Sequence, residues 1–171
     1  MDAPRDDRER ILVICTGNSA RSQMAEGLLR HLGGDAVQAM SGGSRPAERV
    51  HPLAVRAMAE IGIDIRAHRP KHLSSFIGRP IDWVIVVCAR AARDCPHFPG
   101  SQATLHWFYD DPAEVEGNEE QRLAAFSAVR DDLTRRIREW LALSPAERLA
   151  GAETDDLTGL AGLTGLRRPG D

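Results

Sequence analysis

Runs of apolar residues alternate along the chain with segments in which apolar residues recur every three or four positions. The unbroken runs at 11–15 (ILVIC) and 81–88 (IDWVIVVC) predict two strands that are buried on both faces. Shorter runs at 36–41 and 103–107 predict two more strands. Each of the two long runs ends on a cysteine, at the strand end where parallel α/β sheets bind ligands.

Three segments between and after these runs follow the helical period. They predict helices over 19–32, 51–61 and 119–143. The third helix is long and amphipathic, so one stripe of it should face the core. We expect its charged residues to lie on the solvated face, namely Arg130, Asp131, Asp132, Arg135, Arg136, Arg138 and Glu139.

The alternation of strands and helices indicates a layered α/β fold with a mostly parallel sheet. The chain has 171 residues, which is the size of one ordinary domain. We expect residues 1–143 to form that domain. Residues 144–171 are rich in Gly, Thr and Asp and carry few apolar side chains, so we expect a tail that is mobile or loosely docked.

Composition excludes several classes of protein. The chain is 42% apolar and 27% charged, as globular proteins are, and its net charge of −3 gives no general attraction to nucleic acid or anionic membranes. No apolar run approaches the ~20 residues of a transmembrane helix, and the N-terminal MDAPRDDRER lacks the apolar stretch of a signal peptide. We therefore expect a cytoplasmic monomer whose three cysteines are free, catalytic or redox-active.

A candidate oxyanion site follows the first strand. Cys15 opens the sequence C-T-G-N-S-A-R, which ends at Arg21 and is followed by Ser22 and a helix. A turn of this kind points backbone N–H groups inward, and the arginine can bind an oxyanion through two hydrogen bonds. Positive surroundings should favour a Cys15 thiolate, to which the Ser22 hydroxyl could donate. We expect the oxyanion to be bound by Thr16, Gly17, Asn18, Ser19, Ala20, Arg21 and Ser22.

The other two cysteines, Cys88 and Cys95, enclose six residues. This spacing is too long for a C-x-x-C redox motif and supplies no credible metal site. In an intact helix the two residues would lie about 10 Å apart, so a disulfide between them would need backbone movement. The residues alone leave two interpretations open: a redox pair, or a Cys88 packed as a small apolar side chain beside an incidental Cys95.

Several segments together resemble the low-molecular-weight protein tyrosine phosphatase superfamily, and within it the thioredoxin-coupled arsenate reductases. The similarity extends over residues 11–141 and is carried by VICTGNSARSQMAEG, SGG, AVRAMAEIGIDI, DWVIVVC, CPHFPG, HWFYDDPA and FSAVRDDL. It implies a three-layer sandwich in which helices flank a central, mostly parallel sheet of four strands. It also implies an enzyme of arsenic detoxification with no bound cofactor and no metal.

The resemblance implies a relay of three cysteines. Cys15 attacks arsenate and forms a thiol–arsenate adduct, and Cys88 then attacks Cys15, so that arsenite leaves a Cys15–Cys88 disulfide. Cys95 next attacks Cys88, and the resulting Cys88–Cys95 disulfide is reduced by thioredoxin, which draws electrons from NADPH through thioredoxin reductase. Phosphate or sulfate should bind at the same oxyanion site, formed by residues 15–22 and called the cradle below.

Asp111 precedes Pro112 in the loop that follows the predicted strand at 103–107. On its own, an aspartate before proline is typical of a turn or a helix cap. The resemblance implies that Asp111, rather than its neighbour Asp110, is the acid that protonates the leaving oxygen. Related tyrosine phosphatases usually place aromatic residues after the D-P pair, and AEV at 113–115 instead favours a small inorganic substrate.

Some members of the superfamily bind potassium beside the cradle. Asn18, Glu26 and Ser41 match three of the positions involved, but Lys71 stands where those relatives carry an aspartate. Its ammonium could replace the ion, so we expect no potassium site. The six histidines show no ligand spacing, and we interpret them as surface or packing residues, His68 among them.

Three alternatives remain open at this point. One is a phosphatase with the same cradle and acid, in which water resolves a phospho-Cys15 intermediate. The second is a non-enzymatic sensor that binds arsenite or an oxyanion through its thiols. The third is reduction by a low-molecular-weight thiol instead of thioredoxin, against which the Cys88 and Cys95 pair argues.

Overall fold

The computed structural model describes residues 6–94, 98–99 and 101–152. It contains four strands, β1 (Glu9–Cys15), β2 (Val37–Gly43), β3 (Ile81–Val86) and β4 (Ser101–His106). It also contains the helices α1 (Arg21–Gly33), α2 (Pro52–Ala59), α3 (Ala89–Asp94) and α4 (Glu119–Leu141). Single turns of 3₁₀ helix lie at Gly34–Ala36, Leu73–Phe76 and Pro112–Glu114.

The four strands form one parallel sheet in the order β2-β1-β3-β4. Its central strand β1 is covered on both faces, because Ile11, Leu12, Val13 and Ile14 are at most 1% exposed. Helices α1, α2 and α4 pack against one another, and α3 contacts β1 and β3. This arrangement confirms the predicted α/β sandwich with a four-stranded parallel sheet.

The observed elements differ from the predicted ones mainly at their ends. The strand predicted over 81–88 ends at Val86, and the weak strand predicted over 36–41 extends to Gly43. The helix predicted over 51–61 begins at Pro52, because the His51 ring nitrogen Nδ1 accepts a hydrogen bond from the Leu53 amide and caps it. These shifts leave the predicted order of elements unchanged.

One expectation for α4 is wrong. Arg130 does not lie on a solvated face: it is 7% exposed, and its Nη1 donates to the carbonyl oxygen of Ala57 at 2.7 Å. That carbonyl lies in the last turn of α2, where a cation satisfies otherwise unpaired backbone oxygens. The guanidinium therefore joins the two helices.

Of the tail assigned to residues 144–171, the structure describes 144–152, and these residues are docked. Arg148 is 6% exposed and donates two hydrogen bonds of 2.7 Å to the carboxylate of Glu9 in β1. It also bonds the carbonyl oxygens of Trp140 and Leu141 at the end of α4. The expectation of a loose tail fails for this part because a buried arginine clamps it to the sheet. Among the described residues, no helix is long and apolar enough to cross a lipid bilayer.

Candidate active site

Cys15 and Cys88 lie at the ends of the two central strands, on the same edge of the sheet. Cys15 is the last residue of β1, and Cys88 follows β3 by two residues. The register pairs Ile14 with Val86, so the parallel strands carry both cysteines to one end. The two residues are 2% and 3% exposed, and both line a single cavity of about 430 Å³. The structure thus brings together the two cysteines that end the long apolar runs.

Three carbonyl oxygens of the loop over residues 16–20 bond to a segment that does not line this cavity. The carbonyl oxygens of Thr16, Gly17 and Ser19 accept hydrogen bonds of 2.8–2.9 Å from amides within the segment 45–51. With these carbonyl oxygens occupied, amides of the loop remain available to bind an anion, as in an anion-binding nest. Of the predicted oxyanion-binding residues, Asn18 and Ser22 are fully buried behind the loop. The others line the cavity: Thr16, Gly17, Ser19, Ala20 and Arg21.

Asn18 shapes the loop. Its φ of 46° is the one positive value at a non-glycine residue among those described, and asparagine tolerates this left-handed conformation. Its Nδ2 donates to Ser22 Oγ and Ser41 Oγ, both at 2.9 Å, and its Oδ1 accepts from the Lys71 amide at 2.9 Å. A side chain at Gly43 would collide with the Thr16 carbonyl oxygen, so glycine permits β2 to lie against the loop.

The Cys15 sulfur has two close partners. Ser22 Oγ lies 2.8 Å from it, and the Asn18 amide donates to it at 3.2 Å. Burial nevertheless raises the pKa of the Cys15 thiol, and the Ser22 hydrogen bond and the charge of Arg21 offset this only in part. The expected shift toward thiolate is therefore reversed, because desolvation of the sulfur outweighs its donors.

Arg21 and Asp111 lie beside each other in the lining of the cavity. Arg21 Nη2 lies 3.6 Å from Asp111 Oδ2, and its Nη1 donates to the carbonyl oxygen of Tyr109 at 2.8 Å. Asp111 also caps the 3₁₀ turn that follows it, because its Oδ1 accepts from the Ala113 amide at 3.0 Å. The carboxylate is thus both a turn cap and a cavity residue, so the two interpretations of Asp111 are compatible. Its neighbour Asp110 lines the same cavity.

Cys88 directly precedes α3 and contacts the cradle loop. Its sulfur accepts from the Ala91 amide at 3.3 Å and lies 3.3 Å from Thr16 Oγ1. The helix that follows is only six residues long. The predicted third member of the relay, Cys95, lies outside the described residues. The structure therefore places Cys88 beside the loop that carries Cys15.

The residues matched to a potassium site form a closed network of protein contacts. Glu26 is 2% exposed, and its carboxylate lies 3.0 Å from His68 Nδ1 and 3.3 Å from Arg30 Nη2. Burial lowers the pKa of Lys71, while the charge of Glu26 acts to raise it. The Arg30 guanidinium and the His68 ring thus contact the carboxylate, whereas Lys71 Nζ donates to the Arg69 carbonyl oxygen at 2.7 Å. That Lys71 takes the place of an ion stays a prediction.

Sequence reasoning missed two residues that support the loop. His68 was interpreted as a surface or packing residue, but its Nδ1 also lies 3.1 Å from Gln23 Oε1. The amide nitrogen of Gln23 donates to both oxygens of Asn18 at 3.1 Å. Gln23 and Glu26 are three residues apart on α1 and therefore share a face, which is the signal that could have pointed to a polar cluster there.

Tyr109 was missed as well. It bonds Arg21 through its backbone, and its hydroxyl donates to Asp132 Oδ2 in α4 at 2.6 Å. The chain has no other tyrosine. Its position directly before two aspartates was the available signal, but only the structure shows which side chain receives its hydroxyl.

Comparisons with known proteins agree with this geometry. The family model described as low molecular weight phosphotyrosine protein phosphatase matches residues 10–150. An arsenate reductase of Halalkalibacterium halodurans is 41% identical over 132 residues, which cover 77% of this chain and 94% of that protein.

Solved structures give the same result. A structure described as an arsenate reductase in the phosphate binding state has a TM-score of 0.62 and 29% identity, covering 78% of this chain and 97% of its own. The thioredoxin-dependent arsenate reductase of Corynebacterium glutamicum has a TM-score of 0.58 and 30% identity, covering 78% of this chain and 64% of its own. The family model spans most of the chain, including the cradle and both described cysteines. The chain therefore belongs to the low molecular weight phosphotyrosine protein phosphatase family.

Proposed function

We propose that this protein is a bacterial-type arsenate reductase that draws electrons from thioredoxin in the cytoplasm. One observation carries the proposal: a second buried cysteine, Cys88, lines the same cavity as the cradle nucleophile Cys15. A phosphatase needs only the first thiol. The similarity to arsenate reductases, one of them thioredoxin-dependent, supports the assignment.

The first step forms a bond between Cys15 and arsenic. The amides of the loop and the Arg21 guanidinium hold the oxyanion, and the sulfur displaces one arsenate oxygen, which leaves as water. Because burial raises the pKa of Cys15, its proton must leave as the attack begins, and an unprotonated oxygen of the bound arsenate can take it. Ser22 Oγ, 2.8 Å from the sulfur, then donates a hydrogen bond to the thiolate. Asp111, which lines the same cavity, protonates the leaving oxygen.

The second step reduces arsenic. The Cys88 thiolate attacks the Cys15 sulfur, the electron pair of the sulfur–arsenic bond passes to arsenic, and arsenite leaves a Cys15–Cys88 disulfide. Cys95 then attacks Cys88, which frees Cys15 and leaves a Cys88–Cys95 disulfide for thioredoxin to reduce. The pair lies too far apart in an intact helix to bond, so α3 has to unwind during this transfer.

A coupled assay tests the reaction. With thioredoxin, thioredoxin reductase and NADPH, arsenate should trigger NADPH oxidation and arsenite release, and phosphate at the same concentration should not. Cys95→Ser should release about one arsenite per enzyme and stop with a Cys15–Cys88 disulfide, visible by mass spectrometry, whereas Cys88→Ser should release none.

The alternatives make different predictions in the same assay. A phosphatase that hydrolyses a phospho-Cys15 would turn over small phosphoesters at the same rate in Cys88→Ser and Cys95→Ser as in the wild type. A non-enzymatic sensor would bind arsenic stoichiometrically without consuming NADPH. Reduction by a low-molecular-weight thiol would proceed with that thiol alone and would survive removal of thioredoxin. Weak phosphatase activity beside arsenate reduction is compatible with the relay. Phosphoester turnover without arsenate-dependent NADPH oxidation, or either of the other two results, would overturn it.

A further inference from the structure

Tyr109 lies at a junction of three parts of the molecule. Its amide donates to the carbonyl oxygen of Val87, the residue before Cys88, at 3.0 Å. Its own carbonyl oxygen accepts from Arg21 at 2.8 Å, and its hydroxyl donates to Asp132 at 2.6 Å. All three polar groups of one residue are therefore used: toward the segment after β3, toward α1 and toward α4. Two positions later the chain reaches Asp111.

Helix α4 contacts the segment 107–109 through two of its residues, Asp132 and Arg136, which lie one helical turn apart. Asp132 accepts the Tyr109 hydroxyl, and the Arg136 guanidinium stacks over the Trp107 ring at 4.9 Å from its centroid. Asp132 also forms an ion pair with Arg135, with 2.8 Å between Arg135 Nη2 and Asp132 Oδ1, and this second contact helps to fix the carboxylate. The helical period predicts a solvated face for Asp132 and Arg136, but both side chains contact the segment 107–109.

The phenol remains a donor over the whole physiological pH range. Burial, together with the hydrogen bond and charge of Asp132, raises the pKa of Tyr109 to about 12, and Arg136 opposes this shift in part. The Tyr109 hydrogen bond in turn lowers the pKa of Asp132, with Arg135 acting in the same direction. The pair is therefore a charge-assisted hydrogen bond between a neutral phenol and a carboxylate, which is short and strong.

We propose that Tyr109 and Asp132 are positioning residues that hold Arg21 and the Asp111 loop in place for the oxyanion. The proposal rests on the oxyanion chemistry of the proposed function and adds two residues to it. Arg21 has one hydrogen bond to the Tyr109 carbonyl and a longer contact of 3.6 Å to Asp111. Without the hydrogen bond from the Tyr109 hydroxyl to Asp132, the Tyr109 carbonyl oxygen that accepts from Arg21 is no longer held in one position. Anion affinity and acid placement should then fall together.

Phosphate binding tests the proposal without depending on arsenate reduction. The probe is inorganic phosphate, with its Kd measured by titration calorimetry on the full chain. Tyr109→Phe keeps the ring and removes only the hydroxyl, so it should weaken phosphate binding about threefold to tenfold, the range expected for one lost hydrogen bond. Asp132→Ala should have the same effect. Asp132→Asn keeps an acceptor oxygen and should restore most of the affinity.

The matched control is Asp131→Asn. Asp131 neighbours Asp132 on α4 and pairs with Arg130, so this variant removes the same charge without touching Tyr109. It should bind phosphate as tightly as the wild type or slightly more tightly. A thermal melt of each variant identifies loss of folding, and Asp132→Asn provides a second route if Tyr109→Phe is unstable.

The outcomes distinguish failure of the positioning role of Tyr109 and Asp132 from failure of the oxyanion cradle itself. Unchanged phosphate affinity in folded Tyr109→Phe and Asp132→Ala, with a wild type that binds, overturns the positioning role alone. The same holds if Asp131→Asn weakens binding as much as Asp132→Ala. A wild type that binds no phosphate overturns the oxyanion cradle itself, and the positioning role with it.

Discussion

The two buried cysteines occupy similar surroundings that differ in how firmly they are held. Each sulfur accepts a hydrogen bond from the amide three residues later, Asn18 for Cys15 at 3.2 Å and Ala91 for Cys88 at 3.3 Å. Each also has one hydroxyl neighbour, at 2.8 Å for Cys15 and at 3.3 Å for Cys88. The immediate donors are thus alike, and the difference lies in what stands behind them.

Behind Cys15, the loop is fixed by side chains from several elements. Asn18 reaches Ser41 in β2 and the Lys71 amide, and the helix that follows has 13 residues. Behind Cys88, the chain enters a helix of six residues, whose first full-turn bond, from the Ala92 amide to the Cys88 carbonyl, is 3.3 Å long. Short helices contribute little stability of their own. The contrast suits a nucleophile that stays in place and a second thiol that moves.

The largest expected effect comes from the brace of the fixed loop. Asn18→Ala loses the hydrogen bonds to Ser22, Ser41 and Lys71 and leaves a β-carbon at a positive φ. We expect the free energy of unfolding to fall by about 3 kcal/mol, measured by urea denaturation. Asn18→Gly relieves the backbone strain and should lose less. A loss below about 1 kcal/mol in Asn18→Ala would show that the loop does not depend on this residue.

The second prediction concerns the reactivity of Cys15. Ser22→Ala removes a group that lowers the pKa of Cys15, so the pKa should rise further above its ordinary value. Because the thiolate is the reactive form, alkylation of Cys15 by iodoacetamide near pH 7 should slow about tenfold to a hundredfold. In the wild type, the alkylation rate should rise with pH well beyond neutrality, about tenfold per pH unit until the pKa is reached.

The raised pKa of Cys15 also sets how the free energy of unfolding changes with pH. A thiol with a raised pKa in the folded protein holds its proton at pH values where the unfolded chain has lost it. Its contribution to stability is therefore present below the pKa of the unfolded thiol and is lost as pH rises toward the folded value. Equal alkylation rates in Ser22→Ala and the wild type would contradict the assigned role of the hydroxyl.

Local patterns predicted the parts of the molecule that depend on local sequence. The apolar run at 11–15 gave the central strand, and the cradle motif with its following helix gave the position of Cys15 and Arg21. Arg130 of α4 was misassigned and the contact of Asp132 was missed, because periodicity distinguishes polar from apolar positions but not paired from solvated side chains. Whether Arg130 meets Ala57, or Asp132 meets Tyr109, depends on residues far away in the chain.

Two further features could not be predicted from the sequence. The pKa of Cys15 depends on how completely the fold removes water from the sulfur, and the motif shows the donors but not the burial. The docking of residues 144–152 depends on Arg148 reaching Glu9 across 139 positions of sequence. The low apolar content of this segment predicted a loose tail, because apolar content says nothing about a buried ion pair such as that of Arg148 with Glu9.

The third prediction tests whether the short helix α3, which follows Cys88, is less stable than the loop that follows Cys15. Ala92→Gly lies in α3 and should destabilise that helix by about 1 kcal/mol. If the segment opens locally, alkylation of Cys88 should speed up about fivefold while that of Cys15 is unchanged. Ala124→Gly makes the same substitution at an exposed site in the 23-residue α4 and should alter neither rate. Equal acceleration in both variants would mean that α3 is not the weak element.

The smallest expected effect separates the two hydroxyl neighbours. Thr16→Val replaces the hydroxyl that lies 3.3 Å from the Cys88 sulfur with a methyl group of similar size. A neutral contact of this length is worth about 0.5 kcal/mol, so Cys88 alkylation should slow only about twofold, and Cys15 should react as before. Thr16→Ser keeps the hydroxyl and should match the wild type. A tenfold loss in Thr16→Val would place this hydroxyl on a par with Ser22, and the two sulfurs would then be held alike by their side-chain donors.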